Sequence, residues 1–435
     1  DLEFPEAFFT KGGAKENAGF DIVIGNPPYD ELSEVYSDTD KDVVSYFTNH
    51  PGWSPYKHGR VNLYRLFIIM AARLTKPNGM QSFIVPMGIL SDKFSLPVRC
   101  EILLGLSLHR IEVFPQKDDP RRRIFPEAKL STCVYVLQIR TTSSSFIVRI
   151  HSGRDLLETS RTYTAKASEI QALFPSHMAI PLIGSDEWML LIDHFLLDNA
   201  TPLKDVAEIY AGEICDNAQN AAYLSNDPIG PLVLRGANID RYLLRSKAKQ
   251  GKPRYLRVER YLAAKRDSAK ARHHEALRIG FQKGAAIDNW RRIIGTIIPP
   301  GYYCFDTIMY LVPKGADDRA LLGILNSELW EWRFRATSVT NHANTYEIQE
   351  ILIPNSLLEP ATQAHAKLVA LVDKALTSED EMQVVRAHSR DLEPNSIDRQ
   401  IDTLVYEAYR VMEPGREIIR SALALPSIAA GTAEE

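Results

Sequence analysis

Along the first 150 residues the apolar positions fall into two alternating kinds of run. "FDIVIG" (20–25) is short and unbroken, "NLYRLFIIMAARL" (62–74) has helical length and stops before "KPNG", and "MQSFIVP" (80–86) is strand-like again. "STCVYVLQIR" (131–140) and "SFIVRIHS" (145–152) read as two further strands. This cadence predicts an α/β domain over 1–150 with a mostly parallel sheet, in which FDIVIG is a buried strand. The polar stretch "RTTSSS" (140–145) interrupts the pattern, and 151–175 reads as a linker.

From 176 onward the pattern is irregular. Ser185 is placed to cap a helix through "EWMLLIDHFL", and short strands ("PLVLRG", "RIGFQK", "RIIGTII", "TIMYLVP") mix with helices such as "DRALLGILNSELWEWRFR". Ile397, Ile401, Leu404 and Tyr409 are spaced as on a helix, and "SIAAGTAEE" reads as a frayed tail. The expectation is a separate α+β domain over 176–435 with C-terminal helices. No internal repeat or long low-complexity segment stands out.

Composition narrows the class. With 435 residues, 45% hydrophobic and 24% charged, the chain is long enough for two or three cores. No apolar run reaches the roughly 20 residues of a membrane helix, and no basic-then-apolar leader opens the sequence, so a cytoplasmic protein is expected. Cys100, Cys133, Cys215 and Cys304 are too scattered for a metal or redox motif and read as buried small residues, so no metal site is expected.

Charge changes the picture more. Between Arg235 and Arg292 stand 17 Lys and Arg against 5 Asp and Glu, in a chain of net charge −4. The stretch "YLRVERYLAAKRDSAKARHHEALR" is rich in helix formers and would serve as a solvated helix, but so one-sided a block repels itself unless it meets a polyanion, usually nucleic acid. The adjacent pair His273 and His274 reads as surface.

The candidate chemistry follows the first strand. "FDIVIG" runs directly into Asn26-Pro27-Pro28-Tyr29, at the carboxyl end of a strand, where open α/β sheets bind ligands. Two prolines fix the backbone and leave their carbonyls free to accept. An exocyclic amino group would give its two hydrogens to the Asn26 side-chain oxygen and the Pro27 carbonyl, with Tyr29 stacked on the ring. That pattern makes the nitrogen a better nucleophile for methyl transfer without a titratable base. The bland alternative is a turn after a strand.

These residues, with "NLYRLF", "KPNGMQSFIVP" and "VFPQKDDPRRRIFPEAKLSTCVYVL", resemble successive landmarks of the TaqI-like adenine-N6 DNA methyltransferases, and in particular the methylase half of single-chain type IIG restriction-modification enzymes. The resemblance implies a Rossmann-like class I methyltransferase domain, partial here, in which the tetrad holds a flipped adenine and S-adenosylmethionine is the methyl donor. It makes Phe67 a lining of the cofactor pocket. It also implies a second aromatic on the far side of the base: Phe125 in "FPEAKLS", which matches without gaps, or Phe114 in "VFPQK", which needs an insertion.

"PLVLRGANIDRY", "RRIIGTIIPPGYYCFDTIMYLV" and "LLGILNSELWEWRFRATSVTNHANTYEIQEILIP" resemble the target-recognition domain of the same enzymes. The partner so implied is double-stranded DNA, bound by a monomer. Arg235, Arg241, Arg245, Lys252 and Arg254 are the candidates for phosphate or guanine contacts, and Asn341, His342 and Asn344 in "NHAN" for base reading, although such turns also stabilise themselves.

The sequence departs from the family at its front. No strand with a glycine-rich turn precedes Asp21; "KGGAK" (11–15) has glycines but no strand before it. The nuclease module, for which alone Mg would be expected, is not seen. The expectation is therefore a chain inactive alone, binding S-adenosylmethionine weakly or not at all and not cutting DNA. Other methyltransferases share the tetrad and act on RNA or protein glutamine, but they need no large basic domain behind the catalytic one. A non-catalytic DNA-binding specificity module is the remaining alternative.

Overall fold

The computed structural model describes residues 3–32, 38–56, 61–139, 145–157, 159–265, 268–285, 289–338, 342–379 and 395–424. The chain divides into two compact units, one over Asp1–Ile192 and one over Asp193–Ser427.

The first unit is built on a six-stranded mixed sheet. Its strands are β1 (Phe20–Gly25), β2 (Thr75–Pro86), β3 (Ser107–Phe114), β4 (Thr132–Gln138), β5 (Phe146–His151) and β6 (Thr159–Ala165), in the order β6-β5-β3-β4-β2-β1. Only β1–β2 and β3–β5 are parallel; the other three pairings are antiparallel. The expected mostly parallel sheet is thus corrected to a mixed one, because β3 and β4 form an antiparallel hairpin inserted beside β2. The stretch expected as a linker instead contributes β6 and the short helix Ala167–Leu173 to this unit.

Helix α1 (Leu63–Leu74) starts where Asn62 caps it, its side chain accepting from the Tyr64 amide at 3.3 Å. Its apolar stripe packs on the sheet, and Gln81 of β2 sits fully buried beneath it. The Gln81 amide nitrogen donates to the Ile68 carbonyl of α1 (3.1 Å) and to Tyr135 of β4 (2.7 Å), so a polar pin registers helix and sheet. The "KPNG" segment does not simply end the helix. It forms an irregularity at the start of β2, where a Cβ on Gly79 would meet Thr75 and the Asp21 carbonyl.

Strand β1 differs from the buried strand its sequence suggests. It lies at the sheet edge, paired with β2 alone, and Ile22 and Ile24 on one of its faces are 67% and 78% exposed. The run of apolar residues reports a strand buried on both faces only when both faces are covered. Among the described residues nothing covers this one.

The second unit holds a four-stranded antiparallel sheet of β7 (Ala207–Ala211), β8 (Arg278–Gln282), β9 (Gly295–Ile298) and β10 (Ile308–Pro313), ordered β7-β10-β8-β9. Its core joins Leu234, Ile239, Ile294, Ile298, Cys304, Ile308 and Tyr310. The basic stretch is not one long helix: α2 spans Val258–Lys265, and a tighter helical segment spans Ala269–Glu275. The helical run after β10 breaks at Asn326 and Ser327 into α3 (Asp318–Leu325) and α4 (Glu328–Thr337). Asn326 bonds the Gly295 amide and carbonyl, both at 3.0 Å, and Ser327 caps α4. Then follow α5 (Gln363–Thr377), α6 (Ile397–Ala408) and α7 (Glu413–Ala424). No helix among the described residues is long and apolar enough to cross a membrane.

Candidate active site and nucleic-acid surface

The topology of the first unit gathers the tetrad and its aromatic neighbours at one end of the sheet. Because β1 and β2 are parallel, Gly25 stands beside Phe83 and both strands finish at the same end. Thr132, the first residue of β4, pairs with Pro86 at that end, and also with Phe114, the last residue of β3. The loop 115–131 between β3 and β4 therefore emerges where the tetrad begins.

Tyr29 is held from two sides. Its hydroxyl donates to the Ile84 carbonyl at 3.0 Å, and its own carbonyl accepts from the Asn62 side-chain amide at 3.2 Å. Asn62 thus caps α1 with its oxygen and fixes the tetrad with its nitrogen, a double role absent from the sequence reading although the cap itself is legible. Burial, with a smaller contribution from nearby Cys133, pushes the Tyr29 phenol up to about 12, so it stays neutral and keeps its proton on the hydrogen bond. Cys133 is itself buried and pushed up by desolvation, inert as a nucleophile.

The two acceptors are unspent. Asn26 is exposed and its side chain has no hydrogen-bond partner among the described residues; the Pro27 carbonyl accepts no backbone bond there either. The Phe125 ring lies 6.3 Å from that of Tyr29 at an interplanar angle of 68°, and Tyr64 lies edge-on at 6.4 Å on another side.

Of the two phenylalanines expected across from Tyr29, the structure brings only Phe125 there. Phe114 is 4% exposed at the end of β3 and stacks on His151 at 4.8 Å and 14°. Its face is already covered by an imidazole, which corrects its candidacy as a base-stacking residue. Phe67 lies on α1, half buried, three residues beyond Tyr64. Gly12 and Gly13 belong to the tip of a two-stranded hairpin (Phe9–Thr10 with Gly13–Ala14), not to a turn between strand and helix.

In the second unit the basic stretch serves two ends. Part is consumed inside the fold. Arg241 is 1% exposed and its guanidinium donates to Asp398 (2.5 Å) and the Asn326 carbonyl (3.0 Å), so it is a structural residue and no DNA contact, correcting the expectation. Arg278 pairs with Glu213, both fully buried, and Arg291 and Arg292 are buried as well.

Arg245 and Lys249 share Asp240, and Arg235 and Arg254 share Asp216, with Arg235 stacked over Phe305 at 4.5 Å. Each trio keeps one net positive charge at a half-exposed position. Of the remainder among the described residues, Lys270 and Lys283 are half-buried, and Lys247, Lys252, Arg257, Arg260, Lys265 and Arg272 are exposed along one segment.

Of the "NHAN" residues, Asn341 lies outside the described residues and His342 is exposed. Asn344 is spent on its own turn, where its side-chain amide donates to Glu347 at 3.0 Å, which corrects its candidacy as a base reader. His273 bonds Tyr310 at 2.9 Å and His274 stacks on Tyr303. Among the described residues no cluster of His, Cys, Asp and Glu is arranged to hold a metal.

The fold defines an α/β unit with a mixed sheet that gathers Asn26 to Tyr29 beside the rings of Phe125 and Tyr64, followed by a second unit with an exposed basic segment. Comparison with known proteins bears on this directly: residues 1–116 match the model of the Eco57I restriction-modification methylase family. Among solved structures, the type IIL restriction-modification enzyme MmeI in complex with DNA is similar at a TM-score of 0.50 and 13% identity, over 95% of this chain and 57% of that one. At this identity the likeness is one of fold.

The type IIG restriction endonuclease BpuSI aligns at a TM-score of 0.35 and 13% identity, over 90% of this chain and 54% of that one. A putative class I S-adenosylmethionine-dependent methyltransferase from Listeria monocytogenes aligns at 0.24 and 18%, over 32% and 39%. The chain thus spans little more than half the length of MmeI or BpuSI. No curated protein matches the sequence.

Proposed function

We propose that this chain carries out the acceptor side of site-specific adenine-N6 DNA methylation, as the methylase and target-recognition portions of a restriction-modification enzyme. The observation that carries the reading is the pairing of two unspent acceptors, Asn26 and the Pro27 carbonyl, with two neighbouring rings, Tyr29 and Phe125. A planar base with an exocyclic amino group satisfies both acceptors at once.

An adenine inside a duplex cannot reach such a site, so it must be extruded, and stacking must offset the few kcal/mol of unstacking. A base sandwiched between two rings needs both rings to present their faces to it. The rings stand 6.3 Å apart and edge-on, so one must turn on base entry. Tyr29 is tied by its hydroxyl; Phe125 has no such tie and is the ring that turns.

The residues present fit the acceptor half of a methyl transfer. The glycine-containing turn after Phe9–Thr10 leads into a second strand and not into a helix that could hold the donor, and Phe67 alone does not make such a pocket. S-adenosylmethionine is the donor we propose for the intact enzyme; what this chain supplies is a fixed amino nitrogen with both hydrogens engaged. The exposed basic segment from Lys247 to Arg272 supports a phosphate-tracking surface on the second unit, and MmeI, whose fold the chain shares, was solved with DNA.

The test is Asn26→Ala in the intact enzyme, with tritiated methyl transfer to unmethylated plasmid DNA and DNA affinity measured together. Transfer should fall by two orders of magnitude or more, in line with the loss of a preorganised group acting on the reacting atom, at unchanged affinity. Transfer at the parent rate would refute the reading.

A further inference from the structure

Three consecutive arginines, Arg121, Arg122 and Arg123, stand just before Phe125 in the loop 115–131, and the structure gives them different surroundings. Arg121 is exposed. The Arg122 guanidinium donates to the Ser152 carbonyl at 3.0 Å, beyond the end of β5. Arg123 is 7% exposed, and its donors reach two carbonyls of its own loop: Lys117 through Nη1 at 3.1 Å, and Pro126 through Nε at 2.9 Å and through Nη2.

A guanidinium offers five donors in a rigid planar fork, which suits it to fix two acceptors at a set separation. Here the two acceptors are the entrance of the loop and the residue immediately after Phe125. Proline already fixes its own φ, so anchoring the Pro126 carbonyl leaves the backbone at Phe125 little freedom. Other bonds close the rest of the loop. Gln116 accepts from the amides of Asp118 and Asp119, Ala128 donates to the Phe125 carbonyl at 3.1 Å, and Ser131 donates to the Pro115 carbonyl at 2.7 Å. Ser131 ties the two ends of the loop and Lys129 pairs with Asp118 across it at 3.9 Å, but of these bonds only the Arg123 fork holds the Pro126 carbonyl.

We infer that Arg123 is a positioning residue, holding the backbone of Phe125 opposite Tyr29 so that only the ring has to turn when a base enters. Without the fork, the loop would present Phe125 at variable depth, and the stacking that stabilises the extruded base would be paid for in ordering. The inference rests on the proposed role of Phe125, and its test separates the two.

In the intact enzyme, Arg123→Met, Phe125→Ala and the double variant are compared by single-turnover methyl transfer. The substrate is a duplex carrying the site that methylation mapping of plasmid DNA identifies. Arg123→Met should slow transfer about tenfold or more, the scale of one lost base–ring stack, with DNA affinity unchanged within about twofold. Because Arg123 acts through Phe125, the double variant should be no slower than Phe125→Ala alone. A merely structural role would instead multiply the two losses, and multiplication overturns the inference.

Parent-like transfer by Arg123→Met overturns it too, whereas parent-like transfer by Phe125→Ala removes the stacking role beneath it. Should Arg123→Met not fold, as judged by its thermal melt, Arg123→Lys decides. Lysine keeps the charge but reaches only as a single point, so an intermediate loss supports the inference and parent-like transfer refutes it.

Discussion

Replacing Tyr29 separates the face of the ring from its hydroxyl. The hydroxyl makes one hydrogen bond, to the Ile84 carbonyl at 3.0 Å, and the ring meets Phe125 at 6.3 Å and Tyr64 at 6.4 Å. Stacking of one base on an aromatic side chain is worth about 1–3 kcal/mol by alanine substitution. Tyr29→Ala should therefore slow single-turnover methyl transfer by roughly 5- to 150-fold at saturating DNA and donor. Tyr29→Phe keeps the face and loses one partly buried hydrogen bond, about 0.5–1.5 kcal/mol of stability. It should melt slightly lower yet transfer within a few-fold of the parent. Since the Tyr29 phenol titrates only at about 12, Tyr29→Phe should leave the pH–rate profile between pH 6 and 9 unchanged in shape. If Tyr29→Phe is as slow as Tyr29→Ala, the hydroxyl and not the face does the work; if Tyr29→Ala transfers at the parent rate, no base stacks there and the reasoning fails.

Three further outcomes concern the second unit. Lys252, exposed and outside the two arginine trios, should on change to Ala weaken binding to random duplex DNA uniformly and reduce the slope of log affinity against log salt by about one; an unchanged slope would remove it from the interface. Arg241→Ala breaks a buried ion pair with Asp398, so the chain should lose roughly 3–5 kcal/mol in denaturant unfolding, whereas a DNA-reading arginine would lose affinity at unchanged stability. Asp402 accepts the Glu328 amide at 2.7 Å through one oxygen while the other is buried without a partner, and burial together with the Glu328 charge pushes its carboxyl up to about 7. A carboxyl raised in the folded state contributes stability that is full below about pH 4 and is lost as pH rises to about 7, so Asp402→Asn should flatten the fall in melting temperature over that window; an equal fall in both proteins would refute the shift.

What the sequence could not show follows from where its signals live. Local signals were sound. The apolar run at 20–25 is a strand, those at 80–86, 131–140 and 145–152 hold strands at Thr75–Pro86, Thr132–Gln138 and Phe146–His151, and the run at 62–74 is a helix that starts after Asn62, where an asparagine is expected. Strand direction is not a local property: β4 lies antiparallel between β2 and β3, and no apolar run records that pairing, which is why the sheet is mixed where its sequence predicts a mostly parallel one. Burial of charge is equally non-local. The excess of basic residues between Arg235 and Arg292 is real, but Arg241 is neutralised by Asp398, 157 residues on, and Arg278 by Glu213, 65 residues back, and no spacing rule separates these from exposed Lys252. The same limit applies to Phe114 and Phe125. Both stand before a proline, Phe114 at the end of β3 and Phe125 in the loop that follows, and it is the stacking of His151, from the neighbouring strand β5, that covers the first. The tetrad is the most compact of the candidate features: Asn26, Pro27, Pro28 and Tyr29 are contiguous, whereas Phe125, the ring beside Tyr29, comes from the loop after β3.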